Sequence, residues 1–104
     1  DLQRRQRTRA TRTVRDQVDR ALVDLLGLYR DVLFTQYEVP LALINEEMRP
    51  QITKLASAST PVDTARRMLA VTHTRAQLAA NVVPITALEA LMVRLKDPLV
   101  AVAA

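Results

Sequence analysis

The sequence is poor in the residues on which most catalytic and metal sites depend. Its 104 residues include no cysteine, no tryptophan, one glycine and one histidine. Without cysteine, disulfides and thiolate metal sites are excluded. With Gly27 as the sole glycine, a glycine-rich phosphate loop is excluded as well. His73 lies between two threonines on a predicted helix, where we interpret it as an exposed or partly buried helix position. We therefore expect no enzymatic activity, no metal and no cofactor.

Carboxylates and serines are no better placed for catalysis. Glu46 and Glu47 are adjacent, so on a helix their side chains point about 100° apart. They follow Asn45, a residue typical of helix N-caps, and acidic side chains in a first turn interact favourably with the helix dipole. No serine lies in a nucleophile-elbow sequence. The pair of glutamates therefore predicts a helix start rather than an acid–base pair.

Long apolar runs are also missing. The two longest, residues 39–44 and 99–104, are far shorter than the roughly 20 residues that a membrane-spanning helix needs. We find no signal peptide and expect no membrane among the partners. The chain lacks an initiator methionine and begins in the middle of a helical pattern, so we expect a fragment of a longer protein.

Positive charge is present, and its excess lies at the N terminus. The net charge of the chain is +4, yet residues 1–15 contribute +5, because they contain one acidic residue, Asp1, and six arginines: Arg4, Arg5, Arg7, Arg9, Arg12 and Arg15. The other residues contribute −1, from nine basic and ten acidic groups. The basicity is therefore a local feature, and the rest of the chain is nearly neutral.

This arginine run has two interpretations. One is contact with DNA or RNA phosphates, with Thr8, Thr11 and Thr13 as further hydrogen-bond donors. The other is a solvated helix end or an interdomain linker. The run contains no aromatic residue, which excludes a stacking platform for single strands.

Alanine and leucine at helical spacing predict an all-α fold, a small bundle of four main helices with a long first helix. Residues 10–37 carry apolar side chains three and four positions apart, so they form a helix about 40 Å long. This helix should stop before Pro40. We interpret residues 1–13 as a basic helix extension or linker, residues 14–96 as the helical domain, and residues 97–104 as an apolar tail without an assigned role.

Start and stop signals predict three further helices. The second follows Asn45, has Pro50 near its start and turns one face inward: Met48, Ile52, Leu55 and Ala56. The third begins with a capping box at Thr60 and Asp63, and its predicted core stripe is Ala65, Met68, Leu69, Thr72, Ala76 and Ala79. The fourth begins at Pro84, ends at Asp97, and has the predicted core face Leu88, Leu91, Met92 and Leu95.

Several short motifs are similar to one known family. They are Asn81-Val82-Val83-Pro84 followed by Leu88-Glu89-Ala90-Leu91-Met92, with support from residues 21–33, from Asn45 before Met48-Arg49-Pro50, and from Arg75 one turn before Leu78. Over about residues 5–96 the chain resembles the C-terminal collar domains of clamp-loader delta-prime subunits of bacterial DNA polymerase III. Its arginine- and alanine-rich composition looks like the actinobacterial type.

The resemblance implies a role in DNA replication. A parent protein of this kind has an AAA+-like module before the collar domain and is generally a stator without ATPase activity. The collar domain would hold the clamp loader together by subunit–subunit contacts, here with the collars of the tau/gamma ATPase and delta subunits. DNA would be met through the parent complex, and no small-molecule substrate is implied. The expected location is the cytoplasm, at a nucleoid-associated bacterial replisome. The alternative is a helical nucleic-acid-binding module that uses the arginine run.

A collar domain needs side chains outside its own core to meet its neighbours. The candidates for this subunit interface are residues outside the predicted core stripes: Leu26, Arg30, Tyr37, Val71, Arg75, Leu78, Glu89, Val93 and Arg94. The charged members would set the register of the interface more than its affinity. The six N-terminal arginines would lie at the junction with the AAA+ modules, in contact with DNA, with a neighbouring module or with solvent.

Overall fold

The computed structural model describes residues 1–99, except for the side chain of Thr11. These residues form four α-helices and no strand: α1 (Leu2–Gln36), α2 (Arg49–Ala58), α3 (Pro61–Ala79) and α4 (Pro84–Lys96). A 3-10 turn, Glu46–Met48, leads into α2. The predicted all-α fold with a long first helix is confirmed. The predicted tail lies outside the described residues except for its first three positions, and its division from the bundle stays a prediction.

The first helix is continuous and longer than predicted. It begins at Leu2, because the Asp1 carboxylate caps it by accepting the Gln3 N–H at 3.0 Å. Residues 2–13 are therefore helical along their whole length. The helix ends at Gln36, before Pro40 as predicted, and its 35 residues extend over about 50 Å.

The helices pack as a thin, elongated bundle. Helices α2 and α3 both pack against α1, and α4 packs chiefly against α3. The Cα atoms extend over 55 × 30 × 16 Å, and the radius of gyration is 16.0 Å, compared with about 13 Å for a compact domain of this size. Since its main contacts within residues 1–99 are with one helix, α4 lies at one edge of the bundle.

The core lies where α3 meets α1 and α4. Its buried residues are Leu22, Tyr29, Ala70, Val71, Leu78, Ala87 and Leu91. Two threonines of α3 are also fully buried. The hydroxyl of Thr74 donates to the Ala70 carbonyl at 3.0 Å, and that of Thr64 donates to Gln36 Oε1 at 2.8 Å. Because these hydroxyls are satisfied, the threonines fill core positions without the usual penalty for a buried polar group.

The core stripe predicted for α3 is wrong for five of its six members. Only Met68 is half-buried, while Ala65, Leu69, Thr72, Ala76 and Ala79 are exposed, Leu69 by 61%. The buried face comprises Thr64, Ala70, Val71, Thr74 and Leu78. The reason is that α3 is covered on two sides, by α1 and by α4, and two of its core positions are polar residues that an apolar pattern does not reveal.

The face predicted for α4 is mostly correct. Leu91 is buried, and Leu88 and Leu95 are half-buried, but Met92 is 67% exposed, so its assignment to the core is wrong. The buried stripe is instead Ala87, Leu91 and Arg94. It is narrow because α4 meets essentially one neighbour, α3.

The predicted starts of α3 and α4 are confirmed, whereas the N-cap predicted for the second helix at Asn45 is wrong, because α2 begins at Arg49 after Met48. Thr60 and Asp63 form the reciprocal capping box of α3, with distances of 3.1 and 3.0 Å. Pro50 lies in the first turn of α2. Ile52 is buried and Met48, Leu55 and Ala56 are half-buried, as predicted. Asn45 precedes the 3-10 turn as its N-cap residue, but its side chain makes no capping hydrogen bond and is used elsewhere.

Candidate functional site

The N-terminal part of α1 is a mostly exposed, positively charged helix end. We call residues 2–15 of α1 the basic arm. Five of its arginines are exposed and Arg15 is half-buried. The arm contains no acidic residue, and the ion pairs found within residues 1–99 involve Arg30, Arg49 and Arg75 instead. The arm therefore presents its charge without internal neutralisation.

The arginines are not spread evenly around the arm. At 100° per residue, the six of them cover an arc of about 200°. The rest of the circumference carries uncharged side chains, among them Gln3, Gln6, Ala10 and Thr13. The arm thus has one basic face that is wider than half of the helix.

Open grooves continue this basic face towards the bundle. One, of about 410 Å³, lies between the arm and the α3–α4 connection and is lined by Arg7, Thr8, Arg12, Arg15 and Asn81. A second, of about 550 Å³, runs between α1 and the end of α3 and shares Arg12, Arg15 and Asn81 with the first. A third, of about 270 Å³, is lined by Arg4, Arg5, Thr8, Arg9 and Arg12. Arg12 is common to all three grooves.

The polar groups of the arm differ in their availability. Arg15 Nε is shielded from solvent and has no hydrogen-bond partner within the described part of the chain. The hydroxyls of Thr8 and Thr13 donate to the carbonyls of Arg4 and Arg9, at 3.0 and 2.9 Å. The prediction that these two threonines donate hydrogen bonds to phosphate is therefore wrong in this structure, because both hydroxyls donate to carbonyls of their own helix. Thr11 lies outside the described side chains.

At the inner end of the second groove, an ion pair joins α1 to α3. Arg75 donates two hydrogen bonds to Asp19, at 2.8 and 3.2 Å. These bonds hold the pKa of the Asp19 carboxyl below its ordinary value of 3.8, against a smaller opposing effect of burial. Arg75, predicted at a subunit interface, is thus engaged within the chain. The same pair neutralises a carboxylate that would otherwise repel anions from the groove.

Asn81 forms the opposite wall of the first two grooves. It follows the end of α3 with φ of 64°, in the left-handed region that asparagine tolerates better than most residues. Its N–H donates to the Leu78 carbonyl at 3.1 Å, at the break between α3 and α4. The turn exposes the Asn81 side chain beside the arginines of the arm.

A second surface lies on α4, at the edge of the bundle. Ile85, Glu89, Met92 and Val93 of α4 are spaced four, three and one positions apart, and all four are exposed. We call them the α4 outer face. Three of these residues are large and apolar, with exposures of 62% for Ile85, 67% for Met92 and 55% for Val93. Such a face on an edge helix is typical of contact with another chain.

The predicted interface residues divide into three groups. Tyr37, Glu89 and Val93 are exposed, whereas Leu26, Arg30 and Arg75 are half-buried. Arg30 is held by Asp31 at 3.1 Å and lies 4.1 Å above the Phe34 ring. The expectation that Val71, Leu78 and Arg94 lie outside the core is wrong, since all three are buried. They lie on the faces of α3 and α4 that pack against neighbouring helices. The apolar pattern of each helix alone does not show which faces these are.

Sequence reasoning missed a buried carboxylate on α1. Asp31 is fully buried, and its oxygens accept the N–H groups of Ile44 and Asn45 at 2.9 and 2.7 Å. The Asn45 side-chain amide also donates to it, at 3.1 Å. Burial alone would raise the pKa of Asp31, but these hydrogen bonds and Arg30 hold it below the ordinary value of 3.8. A charged residue within the apolar pattern of the first helix was the one available signal. The group anchors the loop that follows α1.

Fold and surfaces together define a small all-helical protein with a basic arm at one end and an apolar helix edge. Within residues 1–99, no group of three or more His, Cys, Asp or Glu side chains is placed to hold a metal ion. No helix of the described chain has the length and apolar character needed to cross a membrane. Comparison with protein-family models, with curated proteins and with solved structures found no match in any of the three.

Proposed function

We propose that this chain is a non-catalytic subunit-packing domain, the collar domain of a delta-prime-type subunit of a DNA polymerase III clamp loader. Its work would be to hold neighbouring subunits together while a sliding clamp is loaded during DNA replication. The motif resemblance over about residues 5–96 supports the particular assembly. The α4 outer face supports the general role of a helical packing domain.

The α4 outer face is the observation that carries the proposal. Within residues 1–99, helix α4 has a neighbour chiefly on one side, and Ile85, Met92 and Val93 are exposed. Burial of apolar surface stabilises an interface by about 25 cal/mol per Å² before the costs of association. Glu89 lies among them and supplies one charge that a partner must match, which favours specific over indiscriminate pairing.

The basic arm has a place in this proposal as well. In a clamp-loader subunit, the first helix of the collar follows the AAA+ module. The arm would then lie at the junction between the two parts, and the exposed edge of α4 would be free for a neighbouring collar domain.

A binding experiment with defined partners tests the proposal. The chain is mixed with purified collar domains of the tau/gamma ATPase and delta subunits, and complexes are measured by sedimentation velocity. We expect a complex with at least one of them. Val93→Asp should weaken it more than about tenfold, because a carboxylate would be buried without a partner.

Val62→Asp is the matched control, because Val62 is exposed to a similar degree but belongs to the first turn of α3. It should leave the affinity unchanged. Absence of any complex with the collar domains, or equal weakening by both substitutions, would contradict the proposal.

A further inference from the structure

We propose that the basic arm, with the grooves that continue it to Asn81, binds the phosphate backbone of double-stranded DNA without reading its base sequence. This role is additional to subunit packing and does not depend on it. The two surfaces involved, the arm and the α4 outer face, share no residue.

The first argument is that the positive charges of the arm are not paired with carboxylates in the described chain. Six arginines lie within residues 4–15, with no acidic residue among them. None of the six takes part in an ion pair within residues 1–99. Arginines of this kind release condensed counterions when they meet phosphates, and this release drives sequence-independent binding.

The second argument is the width of the basic face. Arg7 and Arg9 point about 160° apart around the helix axis, so they face nearly opposite sides. The arm is about 20 Å long, and a major groove about 12 Å wide accepts one α-helix. A helix in that groove has a row of phosphates on each flank, which a 200° arc of arginines can reach. An acidic partner helix would meet one flank only, so the arc favours a duplex.

The third argument is the continuation of the arm into the bundle. Arg12 and Arg15 line the grooves that end at Asn81, whose side-chain amide is a further donor for phosphate oxygens. Among the described residues, the first groove is lined by three arginines of the arm and by no carboxylate. In the second groove Arg75 holds the Asp19 carboxylate, but the exposed Asp16 carboxylate also lines it, so we place the phosphates along the arm and the first groove.

The last argument concerns what the surface does not offer. No aromatic residue lies in the arm or among the groove-lining residues. Stacking on bases, which single-strand binders use, is therefore absent from this surface. The arm and the first groove offer mainly guanidinium groups and one amide, which match phosphates and carry little information about base sequence.

The test measures binding of the full chain to a short DNA duplex of mixed sequence by fluorescence anisotropy, at several salt concentrations. The groove variant carries Arg7→Gln, Arg12→Gln and Arg15→Gln. The control variant carries Arg20→Gln, Lys54→Gln and Arg66→Gln, which remove the same charge from exposed positions outside the arm. Glutamine has a helix propensity close to that of arginine, so both variants should fold, which circular dichroism checks.

We expect the affinity of the unchanged chain to fall steeply between about 50 and 200 mM salt. In the groove variant, the slope of log K against log salt concentration should be flatter by about 0.9 for each lost phosphate contact. The control variant should keep the original slope. If the groove variant is unfolded, Arg12→Gln alone should still flatten the slope by about 0.9.

Four results would overturn the inference. They are no binding of the duplex at low salt, an equal loss of slope in both triple variants, tighter binding of the matching single strand, and competition by polyglutamate as strong as that by duplex of equal charge. The last result would assign the surface to an acidic polypeptide.

Discussion

The Asp31 carboxylate accepts the backbone N–H of Asn45 at 2.7 Å and thereby ties the C-terminal part of α1 to the start of the 3-10 turn. It also accepts the N–H of Ile44, so one buried side chain satisfies two backbone donors of the returning loop. The Ile44 side chain lies over Gly27, where a Cβ would come within 3.8 Å of it. The loop after α1 is therefore held by a charged group in the helix rather than by its own apolar residues.

Replacement of Asp31 should destabilise the fold strongly. Asp31→Ala removes the acceptor and leaves two N–H groups without a partner, at an expected cost of about 3 kcal/mol in the free energy of unfolding. Urea denaturation measures this loss. Asp24→Ala, at an exposed position of the same helix, should change it by less than about 0.5 kcal/mol. Equal effects of the two substitutions would show that the anchor contributes nothing.

Stability should fall in acid, and Asp31 should account for part of this. Its pKa in the folded chain is below the ordinary 3.8, as is that of Asp19. A depressed carboxyl pKa stabilises the fold above the unfolded value, and this contribution disappears as the pH falls through about 4 towards the folded value. Urea denaturation between pH 6 and pH 2 should show the loss. Asp31→Asn, which cannot titrate, should lose less stability over this range, and identical pH profiles would contradict the assignment.

Removal of a buried charge from α4 should stabilise the protein. Arg94 is only 6% exposed, and its Nε and Nη1 are buried without a hydrogen-bond partner within residues 1–99. Arg94→Met keeps much of the side-chain volume and removes the desolvated charge, so we expect a gain of about 1–4 kcal/mol in thermal or urea unfolding. Arg66→Met, at an exposed site of α3, should be nearly neutral. A strong destabilisation by Arg94→Met would reveal a partner for this guanidinium.

Two leucines of α3 test which face of that helix is buried. Leu78 is buried and Leu69 is exposed, although the sequence pattern predicted the reverse roles. Leu78→Ala should cost about 2–5 kcal/mol, since it opens a cavity in the core. Leu69→Ala should cost less than about 0.5 kcal/mol in the same urea titration. A larger loss at Leu69 would restore the predicted stripe.

The starts of α3 and α4 were predictable because their signals are local. The capping box of Thr60 and Asp63, and the proline at the start of α4, act within a few residues of where they stand. The basic arm was equally visible, because six arginines within twelve positions need no tertiary information. Each of these features depends only on residues that are close together in the sequence.

The errors arose where burial depends on distant partners. The buried face of α3 is determined by contacts with two helices. Thr64 belongs to this face because its hydroxyl donates a hydrogen bond to Gln36, 28 residues away in the sequence. Asp31 found its donors 13 and 14 residues further along, in a loop with no recognisable motif. For the same reason, Asn81 could be assigned to a helix break but not to a groove shared with Arg12.

Helix α1 runs without a break from Leu2 to Gln36, from the arm to the Asp31 anchor. It contains no proline, and its single glycine is covered by Ile44. A helix of this kind resists bending and twisting, so the arm cannot swing independently of the bundle. Under the two proposals above, α1 would act as a rigid spacer, with a nucleic acid on the arm and a neighbouring subunit on α4 held at a fixed distance and angle.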